Sequence, residues 1–170
     1  MTKAPAKKRK NAVISAVQSI SPHLVVAGAA DAIEFYVKAF GAVEKLRIPG
    51  HNGKLIHAAI EIDRLPVMLT DEEPAWGCRS PQALKGTPVT IHLAVSDVDT
   101  FFARAVAAGA TIKMPVADMF WGDRYGIIQD PFGHNWSIAT HQRDMTEAEL
   151  RAAATEAMTK HQQQSQETSK

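Results

Sequence analysis

The sequence predicts an α+β fold of tandem βαβββ modules, a curved mixed sheet with helices on its outer face. Three observations predict it. The interior repeats itself, so that His23-Leu24-Val25-Val26 recurs as His92-Leu93-Ala94-Val95. Each copy continues into a segment with apolar residues at helical spacing, and Gly41 and Gly109 stand where a C-cap would. Period-two alternation then marks the strands that close each copy.

The elements follow in order. In the first strand Ile20, Leu24 and Val26 share one face; Val89, Ile91, Leu93 and Val95 do so in the second copy. Asp31-Ala32-Ile33-Glu34-Phe35-Tyr36 matches Asp99-Thr100-Phe101-Phe102 and starts the helix. Lys45-Leu46 and Lys113-Met114 mark the next strand. Ile60-Glu61-Ile62-Asp63 matches Ile127-Ile128-Gln129-Asp130 in the third. Val67-Met68-Leu69 and Trp136-Ser137-Ile138 close the copies. Asp130-Pro131-Phe132-Gly133-His134 reads as turn chemistry, with a structural role for His134.

The modules cover residues 18–72 and 88–142 of a domain spanning 18–142. Residues 1–17 form a basic tail with Lys3, Lys7, Lys8, Arg9 and Lys10, expected to be disordered. Residues 143–170 hold a C-terminal helix and a polar tail. Thr146 and Glu149 have capping-box spacing there, and the polar tail is expected from His161 onward. The Pro- and Gly-bearing stretch from Asp71 to Pro88 is a linker or a lid. Its Cys78 has no identifiable base partner, which argues against a nucleophile.

Composition narrows the function. The chain has 170 residues, is 45% hydrophobic and has a net charge of +1. That charge gives no reason to expect a nucleic-acid or membrane partner for the domain. One cysteine excludes an internal disulfide. With no apolar N-terminal run, this favours a cytoplasmic protein.

Alternation also says what faces away from the core. His23, His57 and Glu61 lie on that side in the first copy, with Met68 on its closing strand. His92 and Ser137 take it in the second, and the repeat sets Arg124 opposite His57. Trp121 adds an aromatic wall and Arg124 a cationic clamp. Such a face is either a polar lining for a small ligand or a divalent-metal site built from His23, His57, His92 and Glu61.

These residues resemble the vicinal oxygen chelate superfamily, which includes glyoxalase I, bleomycin-resistance proteins and extradiol dioxygenases; the PhnB-like branch is the nearest match. The resemblance spans about residues 18–142. It is carried by Ala32 through Ala42, Val98 through Ala110, and Trp121-Gly122-Asp123-Arg124 with Asp130-Pro131-Phe132-Gly133-His134. It implies paired modules assembled as homodimers, with pockets on concave sheets. It also implies, for the metal enzymes, a histidine from each first strand and a glutamate from each last strand. Met68 and Ser137 hold the last-strand positions and supply no carboxylate. The expectation is a metal-independent binding protein of the sequestration or resistance type. The alternative is a metal-dependent lyase, isomerase or dioxygenase.

Overall fold

The computed structural model describes residues 19–167; the expected basic tail lies outside them. The first module runs β1 (His23–Val26), α1 (Ala29–Phe40), β2 (Val43–Pro49), β3 (Leu55–Ile62) and β4 (Leu65–Asp71). A linker with a 3₁₀ turn at Pro74–Trp76 and a short α2 (Pro81–Leu84) follows. The second module runs β5 (Thr90–Ala94), α3 (Val98–Ala107), β6 (Thr111–Asp118), β7 (Asp123–Gln129) and β8 (Asn135–His141). A final helix, α4, spans Glu147–Glu167. The strands form two four-stranded sheets, ordered β1-β4-β3-β2 and β5-β8-β7-β6. In each, the first strand runs parallel to the last and the other pairings are antiparallel. This is the predicted tandem architecture.

The helices form where the apolar spacing put them. In α1, Ala32, Ile33, Tyr36, Ala39 and Phe40 are buried, one continuous stripe at i, i+3 and i+4. Gly41 ends it in the left-handed conformation (φ 67°), as predicted. The start of α1 has no side-chain cap of its own. Asp71, at the end of β4, supplies one by accepting the N–H groups of Gly28 and Ala29, both at 2.9 Å. Its other oxygen takes the N–H of Leu55 at 2.6 Å, so one carboxylate ties β3, β4 and α1 together. In α3 the cap is local: Asp97 accepts the N–H of Thr100 at 3.1 Å.

The modules meet through α1 and α3 around one shared core. Phe40 stacks on Phe101 (5.4 Å between centroids) and meets Trp136 edge-on at 4.8 Å. Arg104 on α3 donates through Nε to the carbonyl of Ala39 at 2.8 Å. The most costly group to bury is the Asp130 carboxylate, only 4% exposed. It is fully partnered: it accepts from the Tyr36 hydroxyl (2.7 Å), Trp136 Nε1 (2.8 Å) and the N–H groups of Phe132 and His134 (both 2.9 Å). Tyr36 belongs to the first module, so this network fastens the two halves. Burial first, then the Asp130 charge, pushes the Tyr36 phenol well above its ordinary range.

Four expectations are corrected. Ile20 is 91% exposed and Val89 62%, because β1 and β5 begin later, at His23 and Thr90. Alternation with Ala58, Ile60 and Ile62 points Ile56 to the core, but it is 51% exposed. A register shift between Ile48 and Pro49 puts Leu55 inside instead. The capping box of Thr146 and Glu149 forms as expected, but α4 runs on to Glu167 rather than giving way to a polar tail at His161. Arg124 is not on the cleft face, as its surroundings show below.

Candidate ligand-binding site

Each sheet has one face on the helices and one face turned away, and strand register decides which residues occupy the second. In the first sheet, His23 pairs with Met68 and Met68 with Ala59, so the three share a row. The next row runs from Val25 through Thr70 toward His57, with Ile48 beyond it on β2. His23 and His57 meet in a T-shaped contact with centroids 5.9 Å apart. Glu61 is on the same face, half-buried, and pairs with Lys45 at 3.3 Å. Leu46 and Ile48 remain exposed at the rim.

The second sheet carries an aromatic counterpart. His92 pairs with Ser137, Ser137 with Ile127, and Ala139 with Tyr125. His92 lies nearly parallel to Tyr125 (19° between planes, 6.3 Å between centroids), and Trp121 meets Tyr125 edge-on at 5.5 Å. The Ser137 Oγ lies 2.9 Å from His92 Nδ1. Ser137 is 4% exposed, and His92 is its side-chain partner among the described residues. This contact fixes the ring's orientation and leaves Nε2 to face a ligand beside an aromatic wall.

His23, His57, Met68, His92, Ser137 and Glu61 therefore stand on the faces that alternation predicted for them, and Trp121 joins the second. The correction is Arg124. Gly126, two residues along β7 and so on the same side, lies so close to Phe102 of α3 that an added Cβ would come within 2.7 Å, so this side of β7 faces the helix. Arg124 shares that side and holds Asp99 of α3 through Nε and Nη2 (2.6 and 2.8 Å) and Asp118 through Nη1 (3.0 Å). The bonds to Asp99 and then Asp118 drive its guanidinium above its ordinary range, and Asp99 is lowered in turn. The repeat places Arg124 by similarity to His57; β7 is one residue out of phase with β3 at that point, which turns it to the other side.

Tyr125 is the residue sequence reading missed. Counting by two from Ile127, on the Ser137 row, would have found it. His134 serves structure, as expected: its Nε2 lies 3.2 Å from the carbonyl of Val25 on the outer edge of β1.

The superfamily's metal set does not fit these faces. Met68 and Ser137 offer no carboxylate, and His23 and His57 stand on one sheet while His92 stands on the other, its Nδ1 engaged by Ser137. Among the described residues no three His, Cys, Asp or Glu side chains gather as metal ligands would.

Comparison with known proteins gives the lineage. Residues 16–138 match the Glyoxalase/Bleomycin resistance protein/Dioxygenase superfamily. An uncharacterized protein of Mycobacterium bovis is 54% identical over 143 residues, 82% of this chain and 94% of its own. The crystal structure of TioX from Micromonospora sp. ML1 aligns with a TM-score of 0.59 at 29% identity, over 74% of this chain and 99% of that one. The fosfomycin resistance protein FosX of Listeria monocytogenes, crystallised with Mn(II) and a dihydroxypropylphosphonic acid, shares the fold. Its TM-score is 0.57 at 19% identity, over 80% of this chain and 98% of FosX. The chain belongs to the glyoxalase/bleomycin resistance/dioxygenase superfamily.

Proposed function

We propose that this protein binds a small organic molecule on the faces its sheets turn away from the helices, without the superfamily's standard metal, as a sequestering or resistance-type member. The arrangement of Trp121, Tyr125 and His92, with Ser137 orienting the imidazole, carries the reading. An aromatic wall beside an oriented imidazole suits a planar ligand that bears a polar group able to bond to the ring nitrogen. Ser137 does this where the metal enzymes of the superfamily carry a glutamate. A homodimer, assignment to the PhnB-like branch and a cytoplasmic setting belong to the same proposal. In a dimer the open faces would be covered by the second copy, which suits the exposed Leu46 and Ile48.

The test joins elemental analysis of protein purified without added metal to a tryptophan-fluorescence screen of planar aromatic acids and lactams. Expected are substoichiometric metal and a saturable quench that weakens at least ~10-fold in Tyr125→Ala and in His92→Ala, the loss from removing a stacking partner or a hydrogen bond in a shielded site. The edge contact of His23 with His57 favours the second reading, a metal-dependent lyase, isomerase or dioxygenase. Stoichiometric metal that disappears in His57→Ala and His92→Ala would establish that reading instead.

A further inference from the structure

The first module has a histidine on its first strand and a methionine where the superfamily's metal enzymes carry the last-strand glutamate. That exchange replaces a hard oxygen donor by a soft sulfur. A second histidine stands beside the pair. The sheet order places β4 between β1 and β3, so His23 and His57 approach Met68 from opposite sides. Met68 pairs with His23 on one side and with Ala59 on the other. His57, two residues from Ala59, lies on the same face and diagonal to Met68, within reach of so long a side chain. The two imidazoles already meet across β4, with centroids 5.9 Å apart and planes at 86°. An ion bonded at about 2.0 Å to one nitrogen of each ring holds the centroids roughly 6 Å apart, so the pair needs a ring rotation and no backbone movement.

The surroundings choose the ion. Two oxygen donors on this face are engaged elsewhere: Glu61 pairs with Lys45 at 3.3 Å, and the Thr70 hydroxyl donates to the carbonyl of Ile56 at 3.1 Å. No third His, Cys, Asp or Glu joins the pair among the described residues. A hard cation such as Mg²⁺ or Ca²⁺, which needs about six oxygen ligands, has too few here. Two imidazole nitrogens and a thioether suit Cu(I), the ion that soft sulfur ligands select. His23 is exposed, and His57 and Met68 are half-buried, so the ion can enter from the open face.

We infer that His23, His57 and Met68 form a three-coordinate site for a soft monovalent cation, Cu(I), on the open face of the first module. This is not the superfamily's standard set, which draws on both modules and on carboxylates. It is also distinct from the grouping of Trp121, Tyr125 and His92 on the second sheet, and it does not depend on what that grouping binds.

The experiment adds Cu(I) under ascorbate, without oxygen and in competition with bicinchoninate, to the full-length protein labelled with ¹³C-methyl methionine. It carries Cys78→Ser, so that the thiol takes no copper. Cu(I) should be taken up in equal proportion to protein. Among the methionine methyl signals that of Met68 should move, together with the ring signals of His23 and His57. Met68→Leu should weaken Cu(I) at least ~10-fold and leave the weaker binding of Zn(II) as it was, because only the soft ion gains from the sulfur. His23→Ala and His57→Ala should each weaken both ions. Uptake that Cys78→Ser alone abolishes, tighter binding of Zn(II) than of Cu(I), or methyl shifts confined to other methionines would overturn the inference. So would loss of the ion in His92→Ala, which would assign the metal to the second reading above. A planar acid that binds saturably to protein unable to take up Cu(I) would refute this site and leave the proposed function standing.

Discussion

At the scale of single residues, three side chains matter more than their exposure suggests. Asp130 holds four donors from both modules, so Asp130→Ala would leave several buried donors without an acceptor. A loss of about 3–5 kcal/mol in urea unfolding is expected. Tyr36→Phe removes one donor and leaves the carboxylate three, so it should cost about 1–2 kcal/mol. A double-mutant cycle should show the two effects to be strongly non-additive. His141 is the third. Asp123 on Nδ1 (2.8 Å) and Asp144 on Nε2 (2.9 Å) raise its pKa above the ordinary 6.5, the bond to Asp123 contributing most. A raised folded pKa gives stability that is fully present below the unfolded value and is lost as pH rises through the folded one. The thermal midpoint should therefore decline modestly above pH 6.5, and His141→Gln should flatten that decline; an unchanged slope would remove His141 as its source.

Individual elements divide into those the domain needs and one that it does not. The turn entering β7 needs Gly122. Its φ is 95°, and an added Cβ would meet the carbonyl oxygen of Arg143 at 2.4 Å. That contact is backbone and cannot swing aside, so Gly122→Ala should destabilise by about 2 kcal/mol or more by thermal melt. The same turn accepts the N–H groups of Gln142 and Arg143 and so roots the chain after β8. Beyond that root, α4 is held by its own chemistry. Thr146 and Glu149 close a capping box, and Arg151 pairs with Glu147 and Lys160 with Glu156 one turn apart. It packs little on the domain, and its Met158 is 70% exposed. Truncation before Glu147 should leave the melting midpoint within about 2 °C, since among its described residues none is fully buried and only Leu150, Ala153, Ala154 and Ala157 are half-buried. A larger fall would show that α4 covers a face of the protein in solution.

At the scale of the whole molecule, function follows from how nearly alike modules differ. One junction is filled by the Asp130–His134 turn, and among the described residues the other holds a cavity beside Leu93 and Ala94; one open face presents two imidazoles and the other an aromatic wall. The two faces should therefore respond separately. An aromatic ligand that perturbs Trp121 should leave the His57 ring signal in proton NMR unmoved, unless a dimer brings unlike faces together. The repeat, the amphipathic helix α1, the capping box of α4 and the orientation of His23, His57, His92, Met68 and Ser137 could all be read from spacing, because period two and period 3.6 are properties of the backbone itself. Other features could not be read this way. Arg124 lies on the helix side because β7 fell one residue out of phase with its repeat mate. Ile56 lies outside because of a bulge, and bulges leave no mark in hydrophobicity. Asp71 caps a helix more than forty residues before it in the chain. Sequence alone therefore determined the family, the two modules and the loss of the last-strand carboxylates, all of which depend on local pattern and residue identity. Tertiary structure decided that His92 stands on a different sheet from His23 and His57, that Asp130 joins the halves and that a cavity opens beside the edge of β5. Each of these depends on where two distant segments come to lie, and no local spacing encodes that distance.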